Sequence, residues 1–417
     1  MTLTGPCNAP DGLDVVALGE SMVTFLPTRP GRLADVPSFD RGIGGAESNV
    51  ACALAAGGHS ARWVSRVGAD GFGDHLVEAI GAYGVDVSAV GRDAARPTGV
   101  YFRTAGDRAT DAHEVAYYRA GSAASAMSVE NVDLGAVRAG RVLHLSGITA
   151  ALSESCSGLL RELVTRPPGG PLLSFDVNYR SGLWGNGDGP RVLLELARRA
   201  DVVFVGEDEA EEAWGISGGP EAVRAALPEP GVLVVKQGAV GATAFVSGAG
   251  GRGLVAPTRR SRTCNSPAPL GSAGVPASQG TQPQPAGSRA AGAAPAPQRG
   301  GTPPARVSDP TPAPAQAPST FVPALTVDVV STIGAGDAFA AGFLSATLRG
   351  LPIRDGLRHG HLWAAATLTT PGDLAPPPSR DTADRLVALD DAAWEKLRLG
   401  PGWTQAVRRA DEEVRTS

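Results

Sequence analysis

The chain has 417 residues, 42% of them apolar, and a net charge of −5. That suits one large α/β domain or two smaller ones, and no stretch nears the roughly 18 uninterrupted apolar residues of a membrane helix. Residues 251–320 carry seven arginines against one acid, which leaves −11 on the rest, so nucleic acid is not an expected partner.

In chain order, "DVVALGE" (14–20) reads as a first strand. "PSFDRG" (37–42) is a candidate lid edge, followed by "GIGGAESNVACALAAGG" (42–58), a glycine-rich turn that enters a helix over 47–58. "ARWVSRVG" (61–68) is the next strand. "TGVYFRT" (98–104) and "HEVAYYRA" (113–120) alternate apolar with polar, with no helix between them. They predict an antiparallel pair with one wet face, a small β lid. "RVLHLSG" (141–147), "PLLSFDVN" (171–178), "DVVFVG" (201–206) and "GVLVVKQG" (231–238) are nearly continuous apolar runs, and 189–200 is a helix. Such runs fit parallel strands covered on both faces, and the alternation predicts a doubly wound, mostly parallel α/β sheet.

"ATAFVSG" (242–248) and "FVPALTVDVV" (321–330) are extended stretches either side of 251–320. That intervening segment holds 14 of the 34 prolines and no aromatic residue, and reads as a disordered insert in an elongated hairpin connection. The expected organisation is an α/β domain over 12–250, with the lid strands near 98–120, the insert over 251–320, the rest of the domain over 321–398 and a polar tail over 399–417.

The chemistry is carried by "VVSTIGAGDAFAAGFL" (329–344). Gly334, Ala335 and Gly336 form a tight turn whose backbone N–H groups open a helix, a natural anion hole. Asp337, in the first turn, is placed to accept a proton from an attacking hydroxyl. Phosphoryl transfer needs mainly these parts. The competing reading is an ordinary helix cap. "VVKQGAVGA" (234–242) is another strand ending in a glycine-spaced turn. A nicotinamide site is not expected, because "ALGESM" has one glycine where G-x-G-x-x-G would need three.

Together these motifs closely resemble the ribokinase-like family of sugar kinases, over about residues 13–250 and 321–375. "GGAESNVACALAAGG" matches the family's N-terminal signature and "STIGAGDAF" its C-terminal one. "YYRAGSAAS" (117–125), "LHLSGITAAL" (143–152) and "SFDVNYRSGLW" (174–184) are similar to the 2-keto-3-deoxygluconate kinases of that family. The resemblance implies transfer of the ATP γ-phosphate to the 6-hydroxyl of a sugar acid, Mg²⁺, and a homodimer held by the lid. It assigns Asp337 as base and the 334–336 backbone as anion hole. Gly45, Asn49, Tyr101, Tyr117, Arg119, Ile148, Asn178 and Arg180 face the sugar, with the two arginines on its carboxylate. Lys236, Gly238, Gly241 and His361 surround the nucleotide, and Glu209 stands with the metal.

Three departures stand out. Gly206 replaces a frequent Asn or Ser before the glutamate, and His361 an Asn. Ser331 and Ile333 replace the Asp and Thr that bear on a monovalent cation site, so a protein indifferent to K⁺ is expected. Rival readings are a kinase for fructose or 5-dehydro-2-deoxygluconate, and a relative that binds a sugar acid without turnover. Cys7, Cys52, Cys156 and Cys264 fit neither a metal nor a disulfide pattern. With no signal-like N-terminus, a cytoplasmic protein is expected.

Overall fold

The computed structural model describes residues 12–104, 114–165, 169–185, 187–247 and 318–405. The predicted insert lies outside the described residues, except for its last three. Of the polar tail, residues 406–417 lie outside as well, whereas Leu399 is in a strand.

The elements run β1 (Leu13–Leu18), β2 (Met22–Pro27), β3 (Phe39–Gly44), α1 (Ala46–Ala56), β4 (Ala61–Gly68), α2 (Gly71–Ala82), β5 (Val90–Asp93), β6 (Val100–Arg103), β7 (Val115–Tyr118), α3 (Leu134–Val137), β8 (Gly140–Ser146), α4 (Gly147–Ala151), α5 (Glu154–Val164) and β9 (Leu172–Asp176). They continue through α6 (Gly189–Ala197), β10 (Val202–Gly206), α7 (Glu207–Trp214), α8 (Gly219–Ala226), β11 (Val232–Lys236), β12 (Gly241–Val246), β13 (Ser319–Pro323), β14 (Thr326–Val327), α9 (Ala335–Leu348), α10 (Ile353–Leu368), α11 (Arg380–Val387), α12 (Asp391–Glu395) and β15 (Arg398–Leu399).

Nine strands form the main sheet in the order β13-β12-β11-β10-β9-β8-β1-β4-β5. It is parallel from β5 to β11, and β12 and β13 close one edge antiparallel. The continuous apolar runs have the expected cause. Val15, Ala17, Val202 and Phe204 enter one core with α1, α9 and α10, while Val16, Leu18, Val203 and Val205 enter a second core with α5 and α6. Alternate side chains of each strand therefore fill opposite layers.

α9 is apolar on every side and is buried from Ala338 to Leu348. Phe343 meets Phe204 of β10 edge to face at 5.4 Å between centroids. Burying one such ring is worth about 1.5–3 kcal/mol. This packing holds the N-terminus of α9 over the carboxyl ends of the strands, where open α/β sheets bind ligands.

The lid is larger than expected. β6 and β7 pair antiparallel as predicted, and β3, which overlaps the lid edge expected at 37–42, is the sheet's edge strand; β2 was not expected and joins β3 to β6 in the order β3-β2-β6-β7. One face carries Tyr101 and Tyr117 with rings 5.5 Å apart. The other carries Phe25 stacked on Phe102 at 4.8 Å, with Phe39 and Tyr118 edge-on to Phe102. No helix among the described residues is long and apolar enough to cross a membrane.

Candidate active site

A cleft of about 640 Å³ opens where the lid faces the carboxyl ends of the sheet. Gly45, Asn49, Tyr101, Tyr117, Arg119, Ile148, Asn178, Arg180, Glu209, Lys236, Gly238, Gly334, Gly336 and Asp337, all expected at the site, line it. Ala335 sits between the two lining glycines as the first residue of α9. Gly241 and His361 do not line it: both pack on Val322. A Cβ at Gly241 would lie 2.4 Å from the Val322 carbonyl oxygen, and His361 Nε2 stands 3.2 Å from that oxygen. Burial pushes His361 down to about 4, so this imidazole is a neutral packing group.

The turn before α9 is built as its glycines suggest. Gly334 caps the helix in the left-handed region at φ 77, and a Cβ there would fall 2.0 Å from the Asp373 carbonyl oxygen. Any side chain would force the turn off its support. Asp337 follows in the first turn, and Asn49 Nδ2 of α1 donates to its Oδ2 at 2.8 Å. Burial pushes the Asp337 carboxyl up to about 7, against the Asn49 bond. The charges of Asp176 and Glu47 push the same way as burial, and Lys236 opposes them. A carboxyl poised near neutrality suits a general base.

Lys236, at the end of β11, lies 3.2 and 3.1 Å from the two oxygens of Asp176 at the end of β9. Burial works against the ammonium, but Asp176 and Glu209 outweigh it and hold its pKa above the ordinary value. A Cβ at Gly336 would lie 3.6 Å from Nζ, so a fixed positive charge borders the anion turn.

Both arginines already have carboxylate partners. Arg180 Nη1 donates to Glu209 Oε1 at 3.0 Å and to the Tyr179 carbonyl at 2.6 Å. Arg119 Nη2 pairs with Glu20 Oε2, while Ser122 Oγ donates to Glu20 Oε1 at 2.5 Å. The guanidinium of Arg119 lies 5.8 Å from the Tyr117 ring centroid, and its Nε is buried without a partner. Asn178 is the one non-glycine residue with positive φ (40) among those described. Its Oδ1 is buried and unpartnered beside the cleft. Backbone strain and an unmet acceptor at a cleft wall are features of a binding position.

Glu209 is not the exposed acid its sequence context allows. It is buried, and its Oε2 accepts the Gly206 N–H at 2.8 Å, which satisfies the backbone at the start of α7. Burial raises its pKa, but Lys236, the Gly206 N–H and Arg180 together hold it below the ordinary range. No group of three metal-ligating side chains occurs among the described residues. Glu209, a carboxylate that lines the cleft, is the kind of donor that a Mg²⁺ keeping most of its waters uses beside nucleotide phosphates.

Sequence reasoning missed Glu20, Glu47, Arg103, Asp176 and Asp373. Glu47 is fully buried in α1, accepts Thr149 Oγ1 at 2.5 Å and Ser146 Oγ at 3.0 Å, and is pushed by burial up to about 7. An acid in the first turn of an otherwise apolar helix, directly after the glycine-rich turn, was the one signal available for it. Asp176 stands in "SFDVN", an acid ending a buried strand, and was legible in the same way.

The pfkB family carbohydrate kinase profile matches residues 13–262 and 305–380. The 2-dehydro-3-deoxygluconokinase of Bacillus subtilis (strain 168) is 29% identical over 373 residues, covering 88% of this chain and 94% of that one. That of Thermoproteus tenax is 33% identical over 247 residues, covering 57% and 73%. Fructokinase-1 of Oryza sativa subsp. japonica is 34% identical over 204 residues, covering 48% and 62%. Among solved structures, a PfkB protein from Polaromonas sp. JS666 has a TM-score of 0.64 at 28% identity, covering 89% of this chain and 99% of that one. An uncharacterized sugar kinase from Pyrococcus horikoshii in complex with ATP has a TM-score of 0.64 at 20% identity, covering 92% and 100%. With its two glycine-rich signatures meeting at one cleft, the chain belongs to the pfkB family of carbohydrate kinases and is an ATP-dependent sugar kinase.

Proposed function

We propose that this kinase transfers the γ-phosphate of ATP to the 6-hydroxyl of 2-keto-3-deoxygluconate, the sugar acid also called 2-dehydro-3-deoxygluconate. The observation that carries the reading is the pair of guanidinium groups, Arg119 and Arg180, lining the same cleft as Asp337. A guanidinium matches a planar carboxylate bidentately, and each of these two keeps N–H donors that a sugar carboxylate could share beside its protein partner. The relatives named for that acid support the choice.

Tyr101, Tyr117 and Arg119 form the lid wall of the sugar site, and Gly45, Asn49, Ile148, Asn178 and Arg180 form its floor. A Cβ at Gly45 would meet the Glu20 carbonyl oxygen at 2.4 Å, so the start of α1 packs directly on the Glu20–Ser21 backbone beside the cleft. Asp337 takes the hydroxyl proton, and Asn49 fixes the carboxylate that receives it. The N–H groups of 334–336 and the helix dipole hold the transferring phosphoryl group, and Lys236 neutralises its charge. Gly238 lies along the nucleotide. Glu209 would hold a Mg²⁺ together with the nucleotide phosphates, and the ion would supply charge neutralisation there. The reaction takes place in the cytoplasm, where both described cysteines, Cys52 and Cys156, stay free and buried. The aromatic outer face of the lid serves as the contact of a homodimer.

The test is a coupled ADP-release assay over sugars and sugar acids, with the phosphorylated position read by ³¹P–¹H NMR. Turnover of fructose at least as fast as that of the acid would overturn the assignment in favour of the fructokinase reading.

A further inference from the structure

Asp373 lies in the segment between α10 and α11, outside every motif of the sequence. Its carboxylate is only 6% exposed, counted over the residue. Oδ2 accepts the Tyr101 hydroxyl at 2.5 Å, and Oδ1 pairs with Arg103 Nη2. Both donors stand on β6 of the lid. Arg103 is buried to 1% and also reaches the Pro371 carbonyl at 3.4 Å. The main chain of Asp373 faces the other way. Its carbonyl oxygen would be 2.0 Å from a Cβ on Gly334, so the anion turn rests directly on it. The approach to that turn is strapped to the same region, since the Val330 and Ser331 N–H groups both donate to the Leu368 carbonyl. The end of β3 completes the junction: a Cβ on Gly44 would be 2.1 Å from the Tyr101 oxygen and 2.7 Å from Asp373 Oδ2.

One residue therefore touches the lid with its side chain and the phosphoryl-holding turn with its backbone. A buried ion pair is a poor source of stability, because apolar residues of similar volume often serve as well. It is a good source of a fixed geometry, because its charges satisfy one another in only one arrangement.

We propose that Asp373 is a positioning residue that keeps the sugar-holding lid in register with the anion turn. The inference rests on the lid being the sugar wall, as read above, and not on which sugar is bound. With Asp373 in place, a sugar gripped by Tyr101 sits at a set distance from the turn. Without it, the lid still folds but its position relative to Gly334 varies, and a misplacement of about 1 Å can cost about 10²-fold in rate.

Two variants test this. Asp373→Asn keeps shape and removes the charge. The double variant Arg103→Met with Asp373→Leu removes both charges and keeps the volume, so that stability is retained while the register is not. Hydrogen exchange is measured first, because it needs no turnover. In each variant residues 100–103, 115–118 and 331–337 are expected to exchange faster together, with β10 and β11 unchanged and the melting temperature of the double variant near that of the unmodified protein. In steady-state kinetics, kcat/KM for the sugar falls at least about tenfold, while KM for ATP stays within about twofold. Unchanged exchange at either the lid or the turn overturns the proposal, as does a double variant with unmodified kcat and sugar KM. Whether the unmodified enzyme turns over a sugar acid decides the functional reading separately.

Discussion

Replacing Asp337 with Asn keeps the size of the side chain and the N–H groups of the turn, but removes the proton acceptor. Loss of a general base costs about 10²–10⁴-fold in kcat, with ATP affinity unchanged. The pH dependence is more specific. Burial pushes the Asp337 carboxyl up to about 7, with Asp176 and Glu47 adding to it. A raised pKa means that the base form is lost as pH falls through 7. About one tenth of the enzyme is then active at pH 6 and about nine tenths at pH 8, giving a unit slope in log kcat/KM below pH 7. Glu47, itself pushed to about 7, is the rival source of that limb. Glu47→Gln and Asp176→Asn each remove a negative charge near Asp337, so each should move the limb to lower pH without abolishing it; a full unit would equal 1.36 kcal/mol of altered interaction. Only Asp337→Asn should flatten the residual activity. The assay is coupled ADP release in buffers of constant ionic strength. Near-normal kcat in Asp337→Asn, or a limb near 7 that survives in it, would refute the role given to this carboxylate.

Arg180→Ala, and less severely Arg119→Ala, should raise KM for the sugar acid more than that for ATP, since a charge-assisted hydrogen bond is worth about 1.5–3 kcal/mol; a rise confined to ATP would reassign these arginines to phosphate. Activity should be indifferent to K⁺, because Ser331 is neutral and its Oγ accepts the Ile333 N–H at 3.4 Å; Ser331→Asp should create a response in kcat titrated with KCl at constant ionic strength. The Val246 N–H donates to the Pro318 carbonyl at 3.2 Å, so the two ends of the 251–320 connection are adjacent. Replacing residues 249–316 with four Gly/Ser residues should leave kcat nearly intact and, at about 0.6 kcal/mol per halving of loop length, stabilise by up to about 2 kcal/mol; a lower melting temperature would count against this.

The parallel sheet was legible because both faces are covered, which makes each strand a continuous apolar run such as "VVFV" or "VLVV". The lid was half legible. β6 and β7 alternate and are close in sequence, and "PSFDRG" marked the start of β3, but β2 hides beside Pro27 and Pro30, and the end of β3 among the glycines at 42, 44 and 45, which read as turn signals. In the fold Pro27 ends β2, where it breaks little, Gly44 lies close under the Tyr101 hydroxyl, and Gly45 packs on the Glu20 backbone. β5 is a four-residue edge, too short for periodicity. His361 misled because a position near the nucleotide in a resembling sequence does not fix where the side chain points. On α10 it turns inward to Val322.

The partners of the cleft charges were not legible, and they change what the arginines can do. Glu20 and Arg119 are 99 positions apart in sequence, as are Asp337 and Asn49 by 288, and no local pattern joins such residues. Arg119 faces Glu20, and Arg180 faces Glu209. The proposed sugar carboxylate would exchange for, or share a guanidinium with, a protein carboxylate, so its net gain would be smaller than at a free arginine. Arg119→Ala has two effects: it removes a donor and leaves Glu20 unpaired, facing an anionic substrate. The two separate in a cycle with Glu20→Gln. If the second change restores part of the sugar affinity lost by the first, the repulsion is real, and Glu20 acts on the site through its pairing with Arg119.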